Sequence, residues 1–132
     1  MEIQGWLEKL RAAYHNGDPA EIAALFTEDA RYRQGPFGTR HVGRDAIRAH
    51  WTEVLSTQSE QRLWFREPVI AGERAAVEWW CAVYHPETGE PRSAAGMVQL
   101  WFDPSGLCAE LHEYFHREPG FYLTETWEGG RP

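Results

Sequence analysis

Residues 107–116 read Leu-Cys-Ala-Glu-Leu-His-Glu-Tyr-Phe-His, and the last five, His112 to His116, spell the zinc-protease pattern H-E-x-x-H. On a helix the two histidines would share a face about 6 Å apart along the axis, close enough to hold one ion. On a strand they also share a face, but at about 3.3 Å per residue they stand about 13 Å apart, too far for one zinc with bonds near 2.0 Å. Leu107, Leu111, Tyr114 and Phe115 suit a helical face as well as a strand, so periodicity leaves the choice open. The tight link Asp103-Pro104-Ser105-Gly106 favours a hairpin and hence a strand. An extended zinc-protease signature would also need a glycine at 119 and a histidine at 122, where this chain has Pro119 and Tyr122. No metal site is expected.

The 132 residues, 42% hydrophobic and 14% aromatic, fit one domain with a substantial core. A formal charge of -7 without a run of Lys or Arg argues against nucleic acid and anionic membrane as partners. The first residues, MEIQGWLEKLR, carry Glu2 and Glu8 and have no uninterrupted apolar stretch, so neither a signal peptide nor a membrane span is expected there, and a soluble cytoplasmic protein is. Cys81 and Cys108 do not form a disulfide framework.

Ile3, Trp6, Leu7, Leu10, Ala13 and Tyr14 mark one face of a first helix closed by Asn16-Gly17. Asp18-Pro19-Ala20-Glu21 supplies the cap, first-turn proline and acid of a short second helix, with Ile22, Leu25 and Phe26 as its stripe. A brief extended piece over 30–34 leads into a Gly/Pro loop, and Ile47, His50, Trp51, Val54 and Leu55 mark a third helix. Beyond Ser59 the period becomes two, predicting extended segments over 61–70, 74–84, 94–103 and 107–116 joined by short turns. Helices followed by an antiparallel meander make the fold α+β.

The tryptophan-bearing first helix, GDPAEIAALFTEDARY, GRDAIRAHW, the pair in EWW and LWFDPSGLCAELHEYFH together resemble the SnoaL-like branch of the nuclear transport factor 2-like superfamily. The resemblance covers nearly the whole chain to about residue 117, giving a single domain over 1–117 and a tail over 118–132 that docks on the domain or on a partner subunit. It implies three N-terminal helices packed in a strongly curved, mostly antiparallel sheet, a cone with an internal pocket, and makes HEYFH part of the last long strand. Its members include ketosteroid isomerase-like enzymes, polyketide cyclases, dehydratases and epoxide hydrolases. The isomerase pattern of a tyrosine and two aspartates falls on Leu10, Gln34 and Val98, so that triad is missing here.

Alternation sorts the strands into two faces. Val77, Trp79, Cys81, Val83, Gly96, Val98, Leu100, Phe102, Leu107, Ala109, Leu111, Glu113 and Phe115 form an apolar set with one carboxylate, assigned to the inside of the cone. Glu78, Trp80, Ala82, Tyr84, Met97, Gln99, Trp101, Cys108, Glu110, His112, Tyr114 and His116 form the other, whose mix of aromatics and polar groups is that of an interface. A homodimer through Trp80, Tyr84, Trp101 and Tyr114 is therefore expected, and the two cysteines should face opposite ways.

Glu113 is the first candidate for chemistry: burial without a partner raises a carboxyl pKa towards neutrality, where a general base works well. The competing reading pairs it with an arginine such as Arg31 or Arg33, or sets it at the mouth of the cone. His50, placed where the third helix calls for an apolar residue, is the second, as a proton carrier or as a hydrogen-bonded core histidine. Tyr14 and Tyr32 are candidate hydroxyl donors and Gln34 a candidate for orienting a ligand carbonyl. Trp51, Trp79, Val98, Leu100, Leu111 and Phe115 would make the wall apolar and aromatic, suited to a small hydrophobic molecule. These residues suggest a cofactor-independent lyase, isomerase or hydrolase working by acid/base catalysis. A noncatalytic ligand-binding or dimerisation module with a structural Glu113 is the alternative, and a zinc hydrolase the remotest reading.

Overall fold

A computed structural model describes residues 2–122. Helix α1 (Ile3–Asn16) ends at Gly17, whose φ of +68° is the left-handed conformation that closes helices. The Asp18 carboxylate then accepts from the backbone N–H groups of Ala20 and Glu21 at 3.0 and 3.2 Å and starts α2 (Pro19–Ala23). That helix is only five residues long, shorter than the stripe to Phe26 predicted. Phe26 instead opens strand β1 (Phe26–Gln34), with its ring edge-on to Trp6 at 5.8 Å and its carbonyl taken by the Arg44 guanidinium at 2.7 Å. A short strand not foreseen in the Gly/Pro loop, β2 (Arg40–Val42), precedes α3 (Arg44–Leu55), so two strands stand before the third helix where one brief extended piece was expected.

The predicted segment 61–70 is two strands, β3 (Ser59–Phe65) and β4 (Val69–Ala71), both paired with β5 (Arg74–Tyr84). The break falls at Pro68, which has no N–H to give to the ladder. Strands β6 (Pro91–Phe102) and β7 (Cys108–Pro119) complete a curved seven-stranded sheet in the order β2-β1-β7-β6-β5-β3, with β4 on β5. Every neighbouring pair is antiparallel except β1 and β7, which run parallel. The segment HEYFH lies within β7, so its two histidines have strand spacing and the helical zinc geometry does not form.

The helices close the inner face. Ile3, Trp6, Leu7, Tyr14, Ile22 and Ile47 join Val77, Val83, Val98, Leu100 and Leu111 in one buried cluster. Helix α1 also satisfies the outer edge of β3, because His15 Nε2 accepts the Leu63 N–H at 2.9 Å and Arg11 Nε donates to the Leu63 carbonyl at 2.8 Å. The edge that would otherwise invite another strand is thereby occupied at that position. No described helix is long and apolar enough to cross a membrane.

One expected face assignment is wrong. Trp101 pairs with Glu110 while Phe102 pairs with Cys108, leaving Ala109 as an extra residue on β7. This bulge turns Cys108 from the outer face into the core, where it is fully buried beside Phe102. Both cysteines thus belong to the inner side, and both are free thiols.

Trp79, Gly96 and Phe115 stand in one row across β5, β6 and β7. With no side chain between them, the Trp79 and Phe115 rings meet with centroids 5.6 Å apart. A Cβ on Gly96 would lie 2.6 Å from the Phe115 Cα, inside van der Waals contact with backbone that cannot swing away. Gly96→Ala is expected to destabilise the fold by about 2 kcal/mol or more; thermal unfolding by circular dichroism checks this, and an unchanged melting temperature would show that the sheet opens there at little cost.

Candidate active site

The parallel ladder between β1 and β7 sets Gln34 directly beside Glu113 and Tyr32 beside Leu111. Gln34 Nε2 donates to Glu113 Oε1 at 3.1 Å, and the Tyr32 hydroxyl is a second hydrogen-bonding neighbour of the same carboxylate. Protein surrounds Glu113 on nearly every side, yet it retains some accessible surface, which opens onto an internal cavity of about 160 Å³.

The eleven residues singled out from the sequence all line that cavity: Glu113 and His50, Tyr14, Tyr32 and Gln34, and the apolar Trp51, Trp79, Val98, Leu100, Leu111 and Phe115. Strand alternation explains the sheet residues, and the α3 stripe explains His50 and Trp51. The site has four further participants: Gln58 and His41 carry no comparable signal in the sequence, whereas alternation already sets Cys81 on the inner face. Gln58, just past α3, accepts a short 2.6 Å hydrogen bond from the Tyr14 hydroxyl. Cys81 sits near the same hydroxyl. His41, on the unforeseen β2, stacks on His50 with ring centroids 4.2 Å apart. Arg117 lies four residues beyond Glu113 on the same strand, so alternation could have found it.

Neither Arg31 nor Arg33 neutralises Glu113. Arg33 reaches across the outer face, with NH2 3.1 Å from His112 Nδ1 and 2.9 Å from the Tyr114 hydroxyl, while Arg31 is exposed. His112 is held further by Glu110 Oε2 at 2.7 Å from its Nε2. Among the described residues Glu113 has no ion pair, and Arg117 acts on it only through its positive charge.

Burial pushes the Glu113 carboxyl up to about 7, against the hydrogen bonds from Gln34 and Tyr32 and the charge of Arg117, which favour its ionised form. Loss of water outweighs three favourable contacts because a carboxylate's hydration is hard to replace in an apolar wall. Burial, then the charge of Glu113, raises the Tyr32 hydroxyl well above its ordinary value, so this phenol stays a donor. Tyr14 is raised in the same way, chiefly by burial and then by Cys81. Burial pushes the Cys81 thiol up to about 11, which leaves it protonated and unreactive near neutral pH. His50 is lowered to about 4 by burial first and by His41 second, so it enters any chemistry as a neutral imidazole. It packs on Tyr32 with ring centroids 5.3 Å apart.

Two indole donors complete the wall. Trp51 Nε1 and Trp79 Nε1 are buried and have no hydrogen-bond partner among the described residues. An unpaired buried donor costs about 1–3 kcal/mol, so the cavity carries polar capacity that the described residues do not use. The arrangement can move a proton at Glu113 and offer neutral donors to a ligand oxygen. Among the described residues no group of three or more His, Cys, Asp or Glu side chains is placed to hold a metal.

Solved structures with the same architecture share little sequence with this chain. SalBIII, described as an epoxide hydrolase/cyclase-like enzyme in pyran ring formation in polyether salinomycin, superposes with a TM-score of 0.77 at 15% identity, covering 90% of this chain and 95% of that one. TerC, co-crystallised with polyporic acid, gives 0.72 at 16% identity, covering 86% and 90%. An NTF2-like protein of unknown function from Burkholderia pseudomallei gives 0.72 at 20% identity, covering 86% and 89%. No curated protein matches. At these identities the likeness is one of fold. The profile of the SnoaL-like domain matches residues 7–111, and the chain belongs to that family.

Proposed function

We propose that this protein is a cofactor-independent lyase, isomerase or hydrolase acting on a small hydrophobic molecule, with Glu113 as the group that moves the proton. The observation that carries the reading is a carboxyl poised near neutrality on the wall of an apolar, aromatic cavity and free of an ion pair among the described residues. A surface carboxylate is too weak a base and a fully apolar pocket has none; this site lies between the two.

The step follows from the contacts. Gln34 and the Tyr32 hydroxyl hold two of the carboxylate's lone pairs, and a remaining lone pair can take a proton from a ligand C–H next to a carbonyl, or from a water attacking the ligand. In the first case the C–H electron pair moves to the carbonyl oxygen as the O–H bond to Glu113 forms. Neutral His50, or the indole N–H of Trp51 or Trp79, unpartnered among the described residues, donates a hydrogen bond to that oxygen, since the Tyr14 and Tyr32 hydroxyls already donate to Gln58 and Glu113. The proton then returns from Glu113 to another carbon or to a leaving oxygen. The chemistry named for SalBIII and the organic acid bound by TerC support a small organic molecule as the occupant.

The outer sheet face is proposed as a homodimer interface, as expected from its composition. Met97 and Tyr114 are 45% and 39% exposed there, large values for residues of their size on a central sheet. Trp101 lies under Arg74, and its ring centroid is 4.7 Å from that of His112. Tyr84, at the strand end, stacks on Phe121 at 5.1 Å, which brings the first part of the tail onto the domain. The rest of the tail, residues 123–132, whose docking was expected, lies outside the described residues.

Four outcomes are expected. Glu113→Gln lowers turnover of any substrate found by a factor of about 100 or more, the usual range for a general base; retained kcat with a normal KM would assign Glu113 to binding or structure alone. The rate of the native enzyme rises with pH through about 7 as the base ionises. Stability moves the other way: a carboxyl raised from 4.5 to about 7 stabilises the folded form below about pH 4.5, and this contribution is lost as pH rises through 7. Melting temperatures of the native protein relative to Glu113→Gln should therefore fall between those limits. For the interface, Tyr114→Glu combined with Met97→Glu should give a monomer by light scattering where the native chain gives a dimer; a native monomer at micromolar concentration removes the dimer.

A further inference from the structure

Among the described residues, Arg117 is the one common to three adjoining cavities. It lines the inner chamber with Glu113, a space of about 500 Å³ bounded by Gln34, the 35–39 loop and residues 114–116, and a third of about 260 Å³ beside Trp80 and Ser93. Gln34 and Phe115 also belong to both the first and the second, so the inner chamber and the 500 Å³ space meet at this side of the sheet. The Arg117 guanidinium rests 5.0 Å over the Phe115 ring and has no ion pair among the described residues.

We propose that the cavity continues past Glu113 into an anion-holding mouth, where Arg117 receives the carboxylate of a ligand whose apolar ring fills the inner chamber. This rests on the inner cavity being the ligand chamber, and it adds the ligand's class: a monocyclic acid with a short chain between ring and carboxylate.

The size of the inner chamber carries the first half. At about 160 Å³ it is close to an apolar cavity of about 150 Å³ that takes up benzene, so it fits one ring and not a fused system. Strand geometry carries the second half. Glu113 and Arg117 share a face four residues apart, about 13 Å along β7, which leaves room for a chain of a few carbons between the reacting atoms and the anion.

Charge supplies the selectivity. With a net charge of -7 the protein repels anions at long range, but screening limits that field to about 8 Å at physiological salt. At the mouth the guanidinium dominates, because no described acid lines the 500 Å³ space, Glu118 shares with Arg117 only the adjoining 260 Å³ space, and Glu113 lies deeper. Phe115 beneath the guanidinium holds its plane in place and keeps one side dry, which strengthens a charge-assisted hydrogen bond to a carboxylate.

The test uses 4-phenylbutyrate and its uncharged analogue 4-phenylbutanamide, titrated calorimetrically at pH 6 in physiological salt against the native protein, Arg117→Gln and Glu113→Gln. The native protein should bind the acid at least about tenfold more tightly than the amide. Arg117→Gln should reduce the acid to the amide's affinity and leave the amide unchanged, with its melting temperature showing that it folds. Equal binding of the two compounds, a preference that survives Arg117→Gln, or no binding of either at millimolar concentration would overturn the anion mouth. These failures are separable from failure of Glu113 as the base. An Arg117-dependent preference with full turnover in Glu113→Gln removes only the catalytic role, and loss of turnover in Glu113→Gln without acid preference removes only the mouth.

Discussion

The parallel pairing of β1 with β7 is the contact on which the site depends. An antiparallel meander alone would set β7 beside β6 and leave its far edge open. Here β1, which enters from the helical half of the chain, occupies that edge, with Gly35 N–H continuing the ladder to the Glu113 carbonyl at 2.7 Å. Parallel pairing requires a long crossover between the strands, and almost the whole domain serves as that connection. One ladder therefore closes the cone and delivers Tyr32 and Gln34 to a carboxylate about 80 residues away in sequence.

The cone's inner face shows how a mostly apolar surface can keep one acid in use. Arginines are available on β1, but the strand turns Arg33 outwards, where it joins Tyr114, His112 and Glu110 in a polar lattice. The same alternation that makes that outer lattice withholds an ion pair from Glu113 inside. Two neutral hydrogen bonds and a distant positive charge compensate burial only in part, so the carboxyl remains close to the balance between its two forms. The neutral imidazole of His50 and the protonated hydroxyls of Tyr14 and Tyr32 follow from the same cause, since burial disfavours charge on each.

Much of the fold was legible because it rests on local signals. The cap Asp18-Pro19 and the closing Gly17 mark helix ends through backbone hydrogen bonds that involve near neighbours only. Alternation over residues 74–84 and 94–102 identifies the inner face, because a strand's side chains change sides at every step. The errors have physical causes of the same scale or larger. Phe26 suits either a helical stripe or a strand, and only its packing on Trp6 and the Arg44 contact to its carbonyl decide for β1. The three residues of β2 are too few for a period, and their pairing comes entirely from β1. The bulge at Ala109 reverses the face of Cys108 without any mark in composition.

The site divides along the same line. The amino-acid order by itself determined that Glu113 is the lone acid on an apolar strand face, that His50 and Trp51 lie on the core side of a helix, and that HEYFH follows a hairpin turn. Tertiary structure alone decided what surrounds them: Gln34 and Tyr32 on the carboxylate, His41 against His50, Gln58 on Tyr14, and Arg117 where the cavities meet. The physical reason is range. Which way a side chain points depends on the backbone within a few residues, whereas which group it meets depends on strand order and register, and those are settled by contacts that close only when the whole sheet has formed.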